Sequence, residues 1–75
     1  MERPFDRQLG ALRKNLIQMA SMVETAIANA GKSLIERNSE LARLVVKSDE
    51  QIDSLELEID KQCVDLLALR QPMAI

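Results

Sequence analysis

Four carboxylates in the second half of the chain are spaced for chemistry on one face of a helix. Asp49 and Asp53 are four positions apart, and Glu56 and Asp60 extend the same line. Residues four apart on a helix are stacked one turn above each other, so Asp49 and Asp53 could together chelate a hard or borderline cation. Such a set is an incomplete ligand shell, and spacing alone leaves open that these acids are an ordinary solvated surface.

The remaining composition argues against catalysis and against nucleic-acid binding. The chain has 12 Asp and Glu, 10 Lys and Arg, no His, Trp or Tyr, and a formal net charge of -2. It therefore lacks the usual general bases and nucleophilic dyads, and we expect no enzyme activity. Without a basic cluster, and with Phe5 as its one aromatic residue, it has neither the electrostatic patch nor the stacking platform that nucleic acids require.

Length and cysteine content predict a cytoplasmic chain that forms at most one small domain. A chain of 75 residues forms at most one small domain, whose core is marginal without disulfides, metal or oligomerisation. The single cysteine, Cys63, excludes an internal disulfide and fits a reducing compartment. We find no signal peptide and no run of about 20 apolar residues, so we expect a cytoplasmic protein without membrane insertion.

Two helices must position the acids. Pro4 and Pro72 stand near the ends, and apolar residues recur every three or four positions between them, which predicts helices at about 5–37 and 39–70 with a tail at 71–75. Asn38 or Ser39 can cap the second helix. The predicted inner face of the first helix is Leu9, Leu12, Leu16, Met19, Val23, Ala26, Ala30 and Leu34, and that of the second is Leu41, Val45, Ser48, Ile52, Leu55, Ile59, Gln62, Leu66 and Leu69.

So short a link makes the helices antiparallel, and we predict an all-α hairpin packed as in a helical bundle. A second stripe on helix two is apolar at both ends and acidic in its middle, which predicts a third helical layer with a special site at mid-height. This stripe consists of Ala42, Val46, Asp49, Asp53, Glu56, Asp60, Cys63 and Leu67. Residues 48–65 contain seven acids and one base, Lys61, a local charge of -6.

Apolar residues outside the seam, the predicted contact between the two helices, predict that the chain associates with other chains. Exposed patches of this size are uncommon on soluble monomers, so we expect a dimer or a larger assembly that completes a four-helix or larger bundle. The residues concerned are Ile17, Ile27, Ile35, Leu44, Leu57, Val64 and Leu67. A structural oligomerisation module with no ligand of its own is an alternative. A peripheral membrane helix pair is a further one, which the acidic segment disfavours because anionic headgroups would repel it.

The order of these features resembles the start of the PhoU family of bacterial phosphate-uptake regulators. The most specific parts are residues 49–59 and 66–72, which contain the acidic line and the run Leu-Leu-Ala-Leu-Arg-Gln-Pro. The resemblance covers essentially the whole chain, which would be a single partial PhoU-like domain at 1–75, the amino-terminal hairpin of the first of two three-helix bundles. The family's third helix would begin soon after Gln71 and Pro72.

The resemblance also implies a ligand and a role. Many family members hold metal clusters through an Asp/Glu-x-x-x-Asp motif, which here falls on Asp49 and Asp53 and implies a possible iron, zinc, manganese or magnesium ion. Further acidic ligands would come from the third helix. The implied role is negative regulation of phosphate transport and of phosphate-starvation signalling, with the phosphate ABC transporter ATPase and a sensor histidine kinase as partners.

Overall fold

The structure is a computed structural model that describes residues 3–70. These residues form two long antiparallel helices. Helix α1 runs over Pro4–Glu36 and helix α2 over Ser39–Arg70, and residues 3–70 contain no strand. The predicted all-α hairpin is confirmed. Helix α1 begins and ends one residue earlier than the sequence indicated, whereas the predicted and observed ranges of α2 coincide. The predicted tail, 71–75, lies outside the described residues.

The two-residue turn closes both helix ends by local hydrogen bonds. Arg37 adopts the left-handed conformation, with φ 52° and ψ 44°. Its N–H donates to the carbonyl of Leu34 at 3.4 Å, and the N–H of Asn38 donates to the carbonyl of Ser33 at 2.9 Å, the pattern of a Schellman motif. The Asn38 Oδ1 then accepts from the N–H of Leu41 at 3.1 Å. Of the two capping residues predicted from the sequence, Asn38 and Ser39, Asn38 therefore caps α2.

The predicted inner face of α2 is the face that meets α1. Ile59 and Leu66 are buried, and the other predicted residues are half-buried except Leu69, which is 50% exposed near the open end. Val45, Ile52, Ile59 and Leu66 are spaced by seven, the repeat that keeps one side of a helix against its partner in a shallow left-handed crossing.

The predicted inner face of α1 is partly wrong. Leu12 is buried and Met19 is half-buried. Leu34, however, is 79% exposed, and Leu9, Leu16 and Val23 are also exposed. The seam on α1 is formed instead with Phe5, Asn15, Met22, Asn29 and Ser33. A single partner helix covers only a narrow strip, two columns wide, and α2 approaches α1 from the side of Asn15 and Met22 rather than from the side of Leu16 and Val23.

The buried apolar cluster is small and lies in the half of the hairpin away from the turn. It consists of Leu12, Ile59 and Leu66, against which Phe5, Met19 and Leu55 pack. At the open end the guanidinium of Arg70 lies over the ring of Phe5, 5.3 Å from its centre, a cation–π contact between the outermost turns of both helices. With dimensions of 60 × 24 × 13 Å, the hairpin is a single layer of two helices, and nothing else within residues 3–70 covers its sides.

Candidate interaction surface

The stripe of α2 that is apolar at its ends and acidic in its middle faces away from α1. All eight of its residues are exposed, and we refer to Ala42, Val46, Asp49, Asp53, Glu56, Asp60, Cys63 and Leu67 as the outer stripe. These residues belong to the two heptad columns next to the seam on one side of α2. The carboxylates are therefore at the surface while remaining close to the groove between the helices.

Two grooves mark the opposite side of the hairpin. A groove of about 230 Å³ brings Thr25 of α1 to Leu44 and Gln51 of α2, and another of about 200 Å³ brings Ala11 to Asp65. In an antiparallel pair of helices, a heptad column that flanks the seam on one helix lies next to the equivalent column of the other helix. The residues that line the two grooves therefore identify which columns lie together on each side of the hairpin. The outer stripe must then share the other side with the α1 column that contains Leu16 and Val23.

That α1 column is apolar, and it lies beside the outer stripe along the whole hairpin. It is formed by Leu9, Leu16, Val23 and Ala30, with Ala20, Ile27 and Leu34 further out on the same side. We call these seven residues the apolar column and name their combination with the outer stripe the acidic flank. Toward the open end, the outer positions of the same repeat are the charged residues Arg13 and Asp6. Among the large apolar residues that are exposed in the described part of the chain, seven lie on the acidic flank: Leu9, Leu16, Val23, Ile27, Leu34, Val46 and Leu67.

Negative charge predominates at mid-height of the hairpin. Asn15 meets Gln62 across the seam, and both helices rise equally per residue, so residues 17–29 of α1 lie beside residues 48–60 of α2. The second range contains six acids and the first contains Glu24, and neither contains Lys or Arg. The centre of the acidic flank is therefore a region of net negative charge.

The two acids predicted to bind metal remain side by side on α2 but gain no third ligand from the hairpin. Asp49 and Asp53 are both exposed, and residues 3–70 contain no group of three or more His, Cys, Asp or Glu side chains arranged to hold a metal ion. Cys63 is exposed on the same stripe. A closed metal site would need donors from outside these residues, and metal binding stays a prediction.

The apolar residues predicted to lie outside the seam are all exposed, as the sequence indicated: Ile17, Ile27, Ile35, Leu44, Leu57, Val64 and Leu67. The association that they predict is not visible in one chain. In the described part of the molecule, neither helix contains a segment both apolar enough and long enough to span a bilayer.

Sequence reasoning missed two features of the hairpin. It placed Leu9, Leu16 and Val23 in the seam and so overlooked that they line the same side as the acids. It also gave no role to Asn15, which donates from Nδ2 to the Gln62 Oε1 at 2.9 Å. The spacing of seven that relates Phe5, Leu12, Met19 and Ala26 indicates one column of the seam, but it does not decide which of the two neighbouring columns joins it.

Comparison with known proteins connects this hairpin to a family. The family model described as the PhoU domain matches residues 16–75. The chain is 40% identical over 74 residues to the phosphate-specific transport system accessory protein PhoU homolog of Pseudomonas putida, covering 99% of this chain and 29% of that protein. It is 36% identical over 72 residues to the homolog of Zymomonas mobilis, covering 96% and 30%.

The Escherichia coli K12 protein, named phosphate-specific transport system accessory protein PhoU, is 33% identical over 70 residues, which are 93% of this chain and 29% of that protein. This chain thus spans about three tenths of the length of these curated relatives. No solved structure matches it.

Proposed function

Because this chain belongs to the PhoU domain family, we propose that it is part of a regulatory adaptor that restrains phosphate uptake and phosphate-starvation signalling. The observation that carries the proposal is the family match over residues 16–75, together with relatives named as accessory proteins of a phosphate-specific transport system. The geometry supports an adaptor because the hairpin presents a long apolar flank with charges at its centre, the composition of a protein contact.

The proposed mechanism is reversible docking in the cytoplasm, without catalysis. The partners would be the ATPase of a phosphate ABC transporter and a sensor histidine kinase, and contact with them when phosphate is plentiful would hold both in their inactive states. Such regulation requires only a difference in affinity between two states of the partner. Exposed side chains on rigid helices can provide that difference.

A chimera tests the proposal in the setting of a complete protein. The matched segment of the Pseudomonas putida relative is replaced by the corresponding residues of this chain, and the gene is placed in a strain lacking its own copy. We expect the chimera to repress a phosphate-starvation reporter in phosphate-rich medium, as the parent protein does. The same chimera with Leu66→Asp, which places a charge in the buried cluster, serves as the control that should fail.

The proposal is wrong if the chimera accumulates to the parent's level, folds with the parent's helical content, and leaves the reporter fully expressed. A second reporter that does not respond to phosphate controls for general effects on expression. Equal repression by the Leu66→Asp chimera would show that the hairpin itself contributes nothing.

Metal binding through Asp49 and Asp53 belongs to the proposal as a separate element. Two adjacent carboxylates suit iron, manganese, magnesium or zinc, but they supply only part of a shell, and the remaining donors would come from outside residues 3–70. Metal analysis after mild purification, with Asp49→Asn and Asp53→Asn variants as controls, tests it. More metal in the wild-type protein than in the variants supports the site.

The alternative is a structural oligomerisation module in which the acids only keep the bundle soluble. The exposed apolar residues favour it as much as they favour an adaptor, because both need a covering partner. Equal and negligible metal in all three proteins, together with a chimera that assembles normally but does not repress, would favour this alternative.

A further inference from the structure

We propose that Met22 makes the hairpin sensitive to peroxide: oxidation of its thioether to a sulfoxide separates the two helices in the half of the hairpin next to the turn. This redox response goes beyond the proposed role in phosphate regulation and does not depend on it. It rests on two features of the packing, the position of Met22 in the seam and the groove that reaches its side chain.

Met22 is the last large apolar residue of α1 before the turn that is not exposed, and it is half-buried. Asn15 meets Gln62 across the seam, and both helices rise equally per residue, so Met22 lies at the height of Leu55. Leu55 in turn packs against the buried cluster. Between Met22 and the turn, the residues of α1 that are not exposed are all small or polar: Ala26, Asn29, Ala30, Gly31 and Ser33.

The seam near the turn therefore depends on one large apolar side chain from α1. We call residues 23–33 of α1 and 41–54 of α2 the turn half of the hairpin. Within it, α2 presents four half-buried side chains to the small residues of α1: Leu41, Val45, Ser48 and Ile52. The buried cluster lies in the other half. Loss of the contacts that Met22 makes would separate the turn half, while the cluster still holds the open half together.

Oxidation of a thioether replaces an apolar group by a polar one. Hydrogen peroxide transfers one oxygen atom to the sulfur as its O–O bond breaks, and the other oxygen leaves as water with both protons. The sulfur loses two electrons to the peroxide. The sulfoxide oxygen accepts hydrogen bonds, and a closed seam would remove it from water at a cost in free energy. The helices therefore separate locally to hydrate this oxygen, and reduction of the sulfoxide reverses the change.

A groove gives peroxide access to this sulfur. It has a volume of about 230 Å³ and lies between Met22 and Thr25 of α1 and Ser48 and Gln51 of α2. Hydrogen peroxide is little larger than water, whose share of liquid volume is about 30 Å³, so the groove can admit it. Met19, by contrast, packs against the buried cluster. We therefore expect Met22 to react before Met19.

Peroxide treatment followed by amide hydrogen exchange tests the proposal on the 75-residue protein. Every sample carries Cys63→Ser, because the exposed thiol of Cys63 would react as well. Tandem mass spectrometry assigns each added oxygen, and Met22 should be oxidised faster than Met19. Exchange should then accelerate about tenfold in the turn half and less than about twofold in residues 5–16 and 61–69, because the polar group acts on its own surroundings. Reductases for both sulfoxide epimers should restore the original exchange.

Matched variants assign the effect to Met22. Met22→Leu keeps an apolar side chain of similar size, so it should fold as the parent does and lose most of the response to peroxide. Met19→Leu, the control one turn away, should keep that response. Met22→Gln places a polar group at this position without any oxidant and should reproduce the faster exchange in the turn half.

The proposal is overturned if Met22→Leu responds to peroxide as fully as the parent protein, or if Met19 is oxidised before Met22. It is also overturned if exchange accelerates equally in both halves, or stays unchanged once Met22 is fully oxidised. These results are independent of the chimera experiment: a chimera that fails to repress leaves the peroxide response untouched, and a hairpin without that response leaves repression untouched.

Discussion

Asn15 and Gln62, 47 positions apart in sequence, meet through a side-chain hydrogen bond across the seam, with Asn15 Nδ2 donating to Gln62 Oε1 at 2.9 Å. Both side chains are half-buried, one layer from Leu12 and Leu66. A polar pair inside an apolar seam contributes little net stability, but it is satisfied in only one alignment of the helices. Its position next to the buried cluster therefore makes it a determinant of register.

The first prediction concerns this pair. Asn15→Ala leaves the amide of Gln62 without its partner in a half-buried place, so we expect the free energy of unfolding to fall by about 1 kcal/mol. Replacing both residues by Leu should change stability little or raise it, because no polar group is then left unsatisfied. Urea unfolding followed by circular dichroism measures both, with Gln18→Ala on the exposed surface as control. A double-Leu variant less stable than Asn15→Ala would contradict this account.

The second prediction compares two neighbouring leucines. Leu66 is 7% exposed and Leu67 is 70% exposed, although the sequence gives them the same residue type. Leu66→Ala should lower the free energy of unfolding by about 2–5 kcal/mol, enough to unfold so small a core, while Leu67→Ala should change it by less than about 0.5 kcal/mol. Thermal unfolding at low protein concentration is the measurement. Similar losses in the two variants would mean that Leu67 is covered in solution.

The third prediction concerns the turn. Arg37 occupies the left-handed region at φ 52°, which is strained for a residue with a Cβ, so Arg37→Gly should stabilise the hairpin by up to about 1 kcal/mol. Asn38→Ala removes the bond to the N–H of Leu41 and should destabilise it by about 1 kcal/mol. Ser39→Ala is the control for Asn38. Opposite signs for these two neighbouring changes in chemical denaturation would verify the turn geometry.

The fourth prediction concerns Gly10, in the interior of α1. A Cβ built at Gly10 meets nothing within 4 Å, so Gly10→Ala should stabilise the isolated chain by about 0.5–1 kcal/mol through helix propensity alone. Thermal unfolding checks the sign. A loss of stability would reveal that another element packs closely on this position, and repeating the measurement over a range of protein concentrations would show whether that element is a second copy.

The fifth prediction is self-association. The exposed apolar residues outside the acidic flank, among them Leu57 and Val64, should pair across a two-fold axis, because a two-helix layer leaves them uncovered. Light scattering at micromolar concentration should give twice the mass of one chain. Leu57→Gln with Val64→Gln should shift the protein toward one chain per particle, and Ser54→Gln serves as control. A stable, well-folded wild-type monomer would contradict the prediction.

The sequence by itself determined the helices, their antiparallel arrangement and the position of the acidic stripe outside the seam. Pro4, the spacing of apolar residues and a capping residue at Asn38 or Ser39 act locally, so their effects can be derived without a partner helix. The inner face of α2 was equally predictable, because one strip of that helix is apolar and the neighbouring strip is interrupted by acids such as Asp53 and Asp60.

Only the tertiary structure decided which side of α1 meets α2. That helix is apolar over a face wider than one partner can cover, and periodicity cannot choose between the column of Leu16 and Val23 and the column of Asn15 and Met22. The choice depends on how side chains of both helices interlock, including the bond between Asn15 and Gln62. By turning Leu16 and Val23 outward, the packing creates the acidic flank, a surface that belongs to neither helix alone.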